Sequence, residues 1–174
     1  MIRFLGSLID RLFVVLGAFI GSQIPEFMNQ YTQRLAGHVN ELNRLVDNLQ
    51  KIAGFSDKSL DQYIHKFITS TDPDFSRQGE FMQGVVTRWH ELTFSLQALR
   101  ESTMWNRPYV FISHLNADIA NSTLRAFSPG FTLTIEGLCY AGAGLLIGYL
   151  FYQSISKLLQ VGSTRALALF KSSI

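Results

Sequence analysis

Apolar residues concentrate near the two ends of this chain, and between them polar and apolar positions recur at helical spacing for about a hundred residues. The first apolar run extends from about Phe4 to Ile24, the second from Phe131 to Ile155. A spanning helix needs ~20 mostly apolar residues to cross ~30 Å of hydrocarbon, and the second run meets that length. Pro129-Gly130 precedes it and Lys157 follows as a headgroup anchor. Aromatics gather at its ends (Phe131, then Tyr149, Phe151 and Tyr152), as in an interfacial belt. The first run is less tidy. Leu12–Ile24 is apolar apart from Ser22 and Gln23, and a full span must take in Asp10 and Arg11 or extend through Pro25 to Phe27 and Met28. Arg3 would give a secretory signal its basic start, but Asp10 and Arg11 interrupt the core and no small-x-small cleavage site follows. An uncleaved anchor is the expectation.

From Pro25 to Phe127 the period is helical. Met28, Tyr31, Leu35, His38, Leu42, Leu45, Leu49 and Ile52 follow the three-four spacing of a heptad seam, which predicts a helix continuing out of the first span to a stop at Gly54. Pro25 is tolerated in it or kinks it. A short helix is predicted over Ser59 to Thr69. Asp72 as N-cap and Pro73 at the first helical position start the next, with Met82, Val85, Trp89, Leu92, Leu96 and Leu99 on one face and an end near Arg100–Ser102. One last helix begins at Asn106 and Pro108, with Ile112, Leu115, Ile119 and Phe127 as apolar anchors. No stretch alternates with period two for long enough to argue a sheet. The expected fold is all-α: two transmembrane helices bracketing an antiparallel three- to four-helix bundle.

The expected domains are a first transmembrane helix with a short cytoplasmic N-terminus (1–25), the bundle outside the membrane (26–128) and a second transmembrane helix (129–156). A cytoplasmic amphipathic tail (157–174) completes them, which Gly162-Ser163 could break. Charge refines this picture. Residues 25–130 carry eleven acids and ten bases, well mixed, so no basic stripe marks a nucleic-acid face. Arg3, Arg11, Lys157, Arg165 and Lys171 lie on the side of the termini, against Arg34, Arg44 and Arg125 near the opposite side. That bias puts the termini in the cytoplasm. Cys139 is the single cysteine, so neither an intramolecular disulfide nor a thiolate zinc cluster can form. Asp10 and Glu136 sit near the segment ends, where reaching to the surface is cheaper than burial.

Small residues repeat on one face of each apolar run: Gly17 and Gly21 in the first, then Gly137, Ala141, Gly144 and Gly148 in the second. Such stripes let helix backbones approach closely in lipid. Packing of the two runs on each other is preferred to homo-oligomerisation or a partner subunit, because both stripes occur in one chain. His38 falls among the leucines of the seam, either as a polar switch that charges near pH ~6 or as a hydrogen-bonded core or interface residue, the latter preferred. Asp61 and His65 have i, i+4 spacing, which is more often an exposed pair than two metal ligands. His90-Glu91 and His114 have no identifiable partners. The chain has no GxSxG, GxxxxGK[ST] or HExxH motif, and neither an enzyme nor a cofactor is expected.

The run Gly17-x-x-x-Gly21-x-Gln23-x-Pro25-x-Phe27, followed by Tyr31, Gln33-Arg34-Leu35, His38 and Glu41, resembles the start of a family of small bacterial membrane proteins that share a domain of unknown function. Asp72-Pro73-x-Phe75 and the second apolar run are similar to that family's later layout. The resemblance implies a bacterial inner-membrane location and carries over no activity or catalytic residue. Three functions compete. The preferred one is a non-enzymatic, membrane-anchored interaction or scaffold subunit, with the lipid bilayer and a protein partner or second copy as its contacts. A sensory module comes second, although only nineteen residues follow Ile155 to carry output. An oligomeric pore or holin-like protein comes third.

Overall fold

The computed structural model describes residues 2–130 and 134–171, with side chains for 11–130 and 134–155. Among the described residues it holds six helices and no strand: α1 (Ile2–Gly54), α2 (Leu60–Ile68), α3 (Pro73–Glu101), α4 (Arg107–Ser113), α5 (Ala117–Arg125) and α6 (Ile135–Lys171). The chain forms two compact units, Met1–Met28 with Ser128–Ile174, and Asn29–Phe127. Phe131 to Leu133, the predicted start of the second run, lies outside the described residues.

In the first unit, α1 and α6 pack on each other. Pro25 lies inside α1 without ending it; its missing N–H removes one hydrogen bond, to the Gly21 carbonyl, while the helix continues on both sides. At the other end of the chain α6 runs on to Lys171. The break expected at Gly162-Ser163 does not occur, because a lone glycine costs a helix only about 1 kcal/mol.

The second unit is closed by caps that are local in sequence. Ser59 and Gln62 form a reciprocal capping box at the start of α2. The Asp72 carboxylate accepts the Asp74 N–H at 2.9 Å, with Pro73 opening α3. α1 does end at Gly54, but the left-handed residue of the following turn is Asp57 (φ 49°), one of the few non-glycine types that accept it. Val46, Ile64, Met82 and Val86 form a buried cluster, with Leu49, Tyr63, Phe67 and Trp89 packed around it. Gly79 lets α3 press against the end of α2: a Cβ there would come within 2.6 Å of the Ile68 nitrogen.

Two expectations for this unit are corrected. The buried face of α1 runs through Met28, Tyr31, Leu35, Val39, Val46 and Ala53. His38, Leu45 and Ile52, assigned to the seam by heptad spacing, lie on the exposed side. The core-facing position moves by one residue between Leu35 and Val39 and then keeps seven-residue spacing through Val46 to Ala53. The predicted last helix is also two helices, α4 and α5, parted at His114–Asn116. Its buried anchors are Phe111 and Ile119, while Ile112 and Leu115 are exposed.

Candidate helix-packing seam and polar anchor

The α1–α6 contact is built from absent side chains. A Cβ on Gly17 would overlap the Gly144 carbonyl oxygen and lie 3.1 Å from the Gly148 Cα. One on Gly21 would overlap the Tyr140 carbonyl oxygen, and one on Gly144 the Gly17 carbonyl oxygen. One on Gly148 would stand 2.5 Å from the Phe13 carbonyl oxygen. The backbones therefore meet directly, at a range where dispersion and weak Cα–H···O contacts act along the whole crossing. Gly137 is buried and Ala141 half-buried on the same helix, whereas Gly142 faces open space.

Aromatic rings and an amide bracket the seam. Phe13 lies 5.9 Å from Phe151 and 6.3 Å from Tyr152, ring centre to ring centre. Toward the other end, Gln23 holds Gly130 by both backbone groups. Its Nε2 donates to the carbonyl at 3.3 Å, and its Oε1 accepts the N–H at 3.2 Å. Away from the seam, Leu12, Val15, Leu146 and Leu150 are exposed. Only 17% of each apolar window is buried by the chain itself, whereas a core helix of a water-soluble protein is mostly buried. An apolar groove of about 570 Å³ runs beside the glycines, lined by Leu16, Ile20, Ala143 and Ile147 among others.

In the second unit the polar anchor is Tyr31, fully buried on α1. Its ring meets Phe111 edge-on at 5.0 Å. Its hydroxyl accepts the Asn116 backbone N–H at 2.9 Å and donates toward the His114 carbonyl at 3.5 Å. Burial pushes the phenol's pKa above its ordinary value, and the Asn116 N–H opposes the shift in part. Tyr31 thus serves the backbone where α4 and α5 part. Sequence reading had it as one more seam residue. No local signal marks a hydroxyl whose partners lie more than eighty residues away. Nearby, Arg107 Nη2 donates to Asn29 Oδ1 at 2.7 Å.

The histidines are dispersed. His38 is exposed on α1, and Asp61 and His65 are exposed on α2. The His90 ring lies tilted beside Trp89 at 4.7 Å, and His114 meets Phe94 edge-on at 5.4 Å. Among the described residues, no three His, Cys, Asp or Glu side chains gather closely enough to hold a metal. An open cleft of about 520 Å³ along α3 carries mixed charge from Glu80, Arg88, Glu91 and Asp118.

An all-α chain whose described residues include two helices long and apolar enough to cross a membrane, packed through a glycine seam, falls in the class of small helical proteins with two candidate membrane spans. Within it, this chain belongs to the DUF2937 family, described as proteins of unknown function, whose model matches residues 5–165. No curated protein and no solved structure matches the chain.

Proposed function

We propose that this protein is a non-enzymatic interaction subunit anchored in the bacterial inner membrane by α1 and α6. Both termini are cytoplasmic and residues 26–128 lie in the periplasm, where they dock a protein partner. The carrying observation is a second apolar stripe on α1. Leu45 (39% exposed) and Ile52 (46%) keep heptad spacing on the outer side of the helix, and Phe55 beyond them is 89% exposed. The folded unit buries the Val39–Val46–Ala53 stripe and leaves this one uncovered. Heptad spacing suits a second helix laid alongside.

Photo-crosslinking in native membranes tests this reading. A photoreactive residue at Leu45 or Ile52 should give a discrete protein adduct, and one at the exposed polar Asn43 should not. A second copy of the chain in the adduct would make the partner a homo-oligomer. Absence of any adduct at Leu45, Ile52 and Phe55 would overturn the proposal.

A further inference from the structure

The cleft of about 520 Å³ lies wholly within the Asn29–Phe127 unit, lined by α3 and by the start of α5. Glu80, Gly84 and Arg88 follow one another at four-residue steps and so share one face of α3, with Glu91 a turn beyond. Asp118 joins them from α5, whose start Asn116 fixes twice: its side chain accepts the Ile119 N–H at 3.2 Å, and its own N–H is donated to the Tyr31 hydroxyl at 2.9 Å. Three carboxylates and one guanidinium thus line the cleft, and among the described residues none of the four forms an ion pair. The glycine between the charges has no packing role. Glycine inside a helix costs stability relative to alanine. At Gly79 the close approach to Ile68 explains it, whereas a Cβ at Gly84 would meet no atom within 4 Å. Gly84 leaves the floor of the cleft bare.

We infer that this cleft binds a free diamino acid of the lysine type. The ligand's carboxylate pairs with Arg88 and its α-ammonium with Glu91, one turn away, while its side-chain ammonium reaches Glu80. Glu80 and Arg88 are separated by ~12 Å along the helix axis, a gap that their two long side chains narrow to the reach of a four-carbon stem. That stem lies over Gly84, where a side chain would block it, with Ile68 and Leu92 as apolar neighbours for its methylenes. Asp118 adds a further carboxylate, so the cleft is complementary to a small molecule with two positive groups and one negative. A plain polyamine would set a cation against Arg88, and a dicarboxylate would face three carboxylates. One exposed ion pair is worth little because water screens it, so binding needs all the charged groups of the ligand engaged together. The cleft's volume falls within the range of small-molecule sites, roughly 300–1,000 Å³.

Isothermal titration of the full chain in mild detergent with lysine, cadaverine and norleucine tests the assignment. Cadaverine lacks the carboxylate and norleucine the side-chain amine. Lysine should bind at millimolar concentration or below, and each analogue about tenfold more weakly. Arg88→Gln should bring lysine down to the cadaverine level without weakening cadaverine, and Glu80→Gln should bring it down to the norleucine level. Gly84→Gln, which lays a side chain over the floor, should abolish binding. Gly84→Ala separates ligand from fold: it should raise the melting temperature by about 2–4 °C while weakening lysine several-fold. The analogue series on the wild-type chain decides the matter even where a variant fails to fold. Absence of binding heat at millimolar lysine would overturn the site. Cadaverine bound as tightly as lysine, and unaffected by Arg88→Gln, would overturn the diamino acid. Lysine affinity indifferent to Gly84→Gln would put the binding elsewhere and overturn the cleft.

Discussion

Tyr31 carries two opposite demands in one side chain, and its chemistry sets the first prediction. The ring fills the core against Phe111 while the hydroxyl completes the backbone at His114–Asn116. Tyr31→Phe keeps the shape and leaves the Asn116 N–H without its acceptor, a loss of about 1–3 kcal/mol. Denaturant unfolding of the detergent-solubilised chain, followed by Trp89 emission in the Trp105→Phe background, measures it. The raised pKa of Tyr31 gives the pH dependence its sign. The folded state favours the neutral phenol, so this stabilisation is fully present below the unfolded-chain value of about 10 and is lost as pH rises through the higher folded value. Tyr31→Phe should remove that part of the alkaline loss, which the difference between the two pH profiles isolates. The tyrosine's place on a buried helix face was legible from apolar spacing. Its polar role was not, because both bonding partners come from another helix pair.

Among the elements, one start was readable from a cap made by neighbours in sequence. Asp72 with Pro73 satisfies an orphan N–H within one turn, and α3 begins where those residues predict; the Ser59–Gln62 box that opens α2 is equally local, but apolar spacing alone placed that helix in the sequence. Ser59→Ala should therefore cost about 1 kcal/mol. It should also loosen α2 before the rest of the unit, seen as faster amide exchange over Leu60–Ile64 than at Val86. The division between α4 and α5 was not readable. Asn116 caps α5 through its own side chain, yet its backbone N–H needs the Tyr31 hydroxyl before the chain gains by breaking there. The slip from His38 to Val39 has the same character. One residue is a rotation of about 100°, and apolar residues occupy both candidate stripes. Only the packing of α2 and α3 on α1 picks the buried one.

For the molecule as a whole, the test is whether the glycine seam holds α1 to α6. Gly144→Ala places a methyl against the Gly17 backbone, which no rotamer change can relieve. Helix separation should then cost about 1–3 kcal/mol. Gly142→Ala, on the same helix with no atom within 4 Å of the added methyl, should cost nothing. Titration with a denaturing detergent, read from a Cys139-attached probe, compares the two. Equal stability of both variants would remove the seam as the source of cohesion. Hydropathy and helical period are properties of adjacent residues, so the amino-acid sequence alone determined the helical class, the two apolar runs and the Asp72–Pro73 cap. Contacts between residues distant in sequence decided the rest: which glycine meets which carbonyl, and which α1 stripe is covered. Those depend on backbone approach and helix rotation, quantities that exist only once the chain has closed on itself.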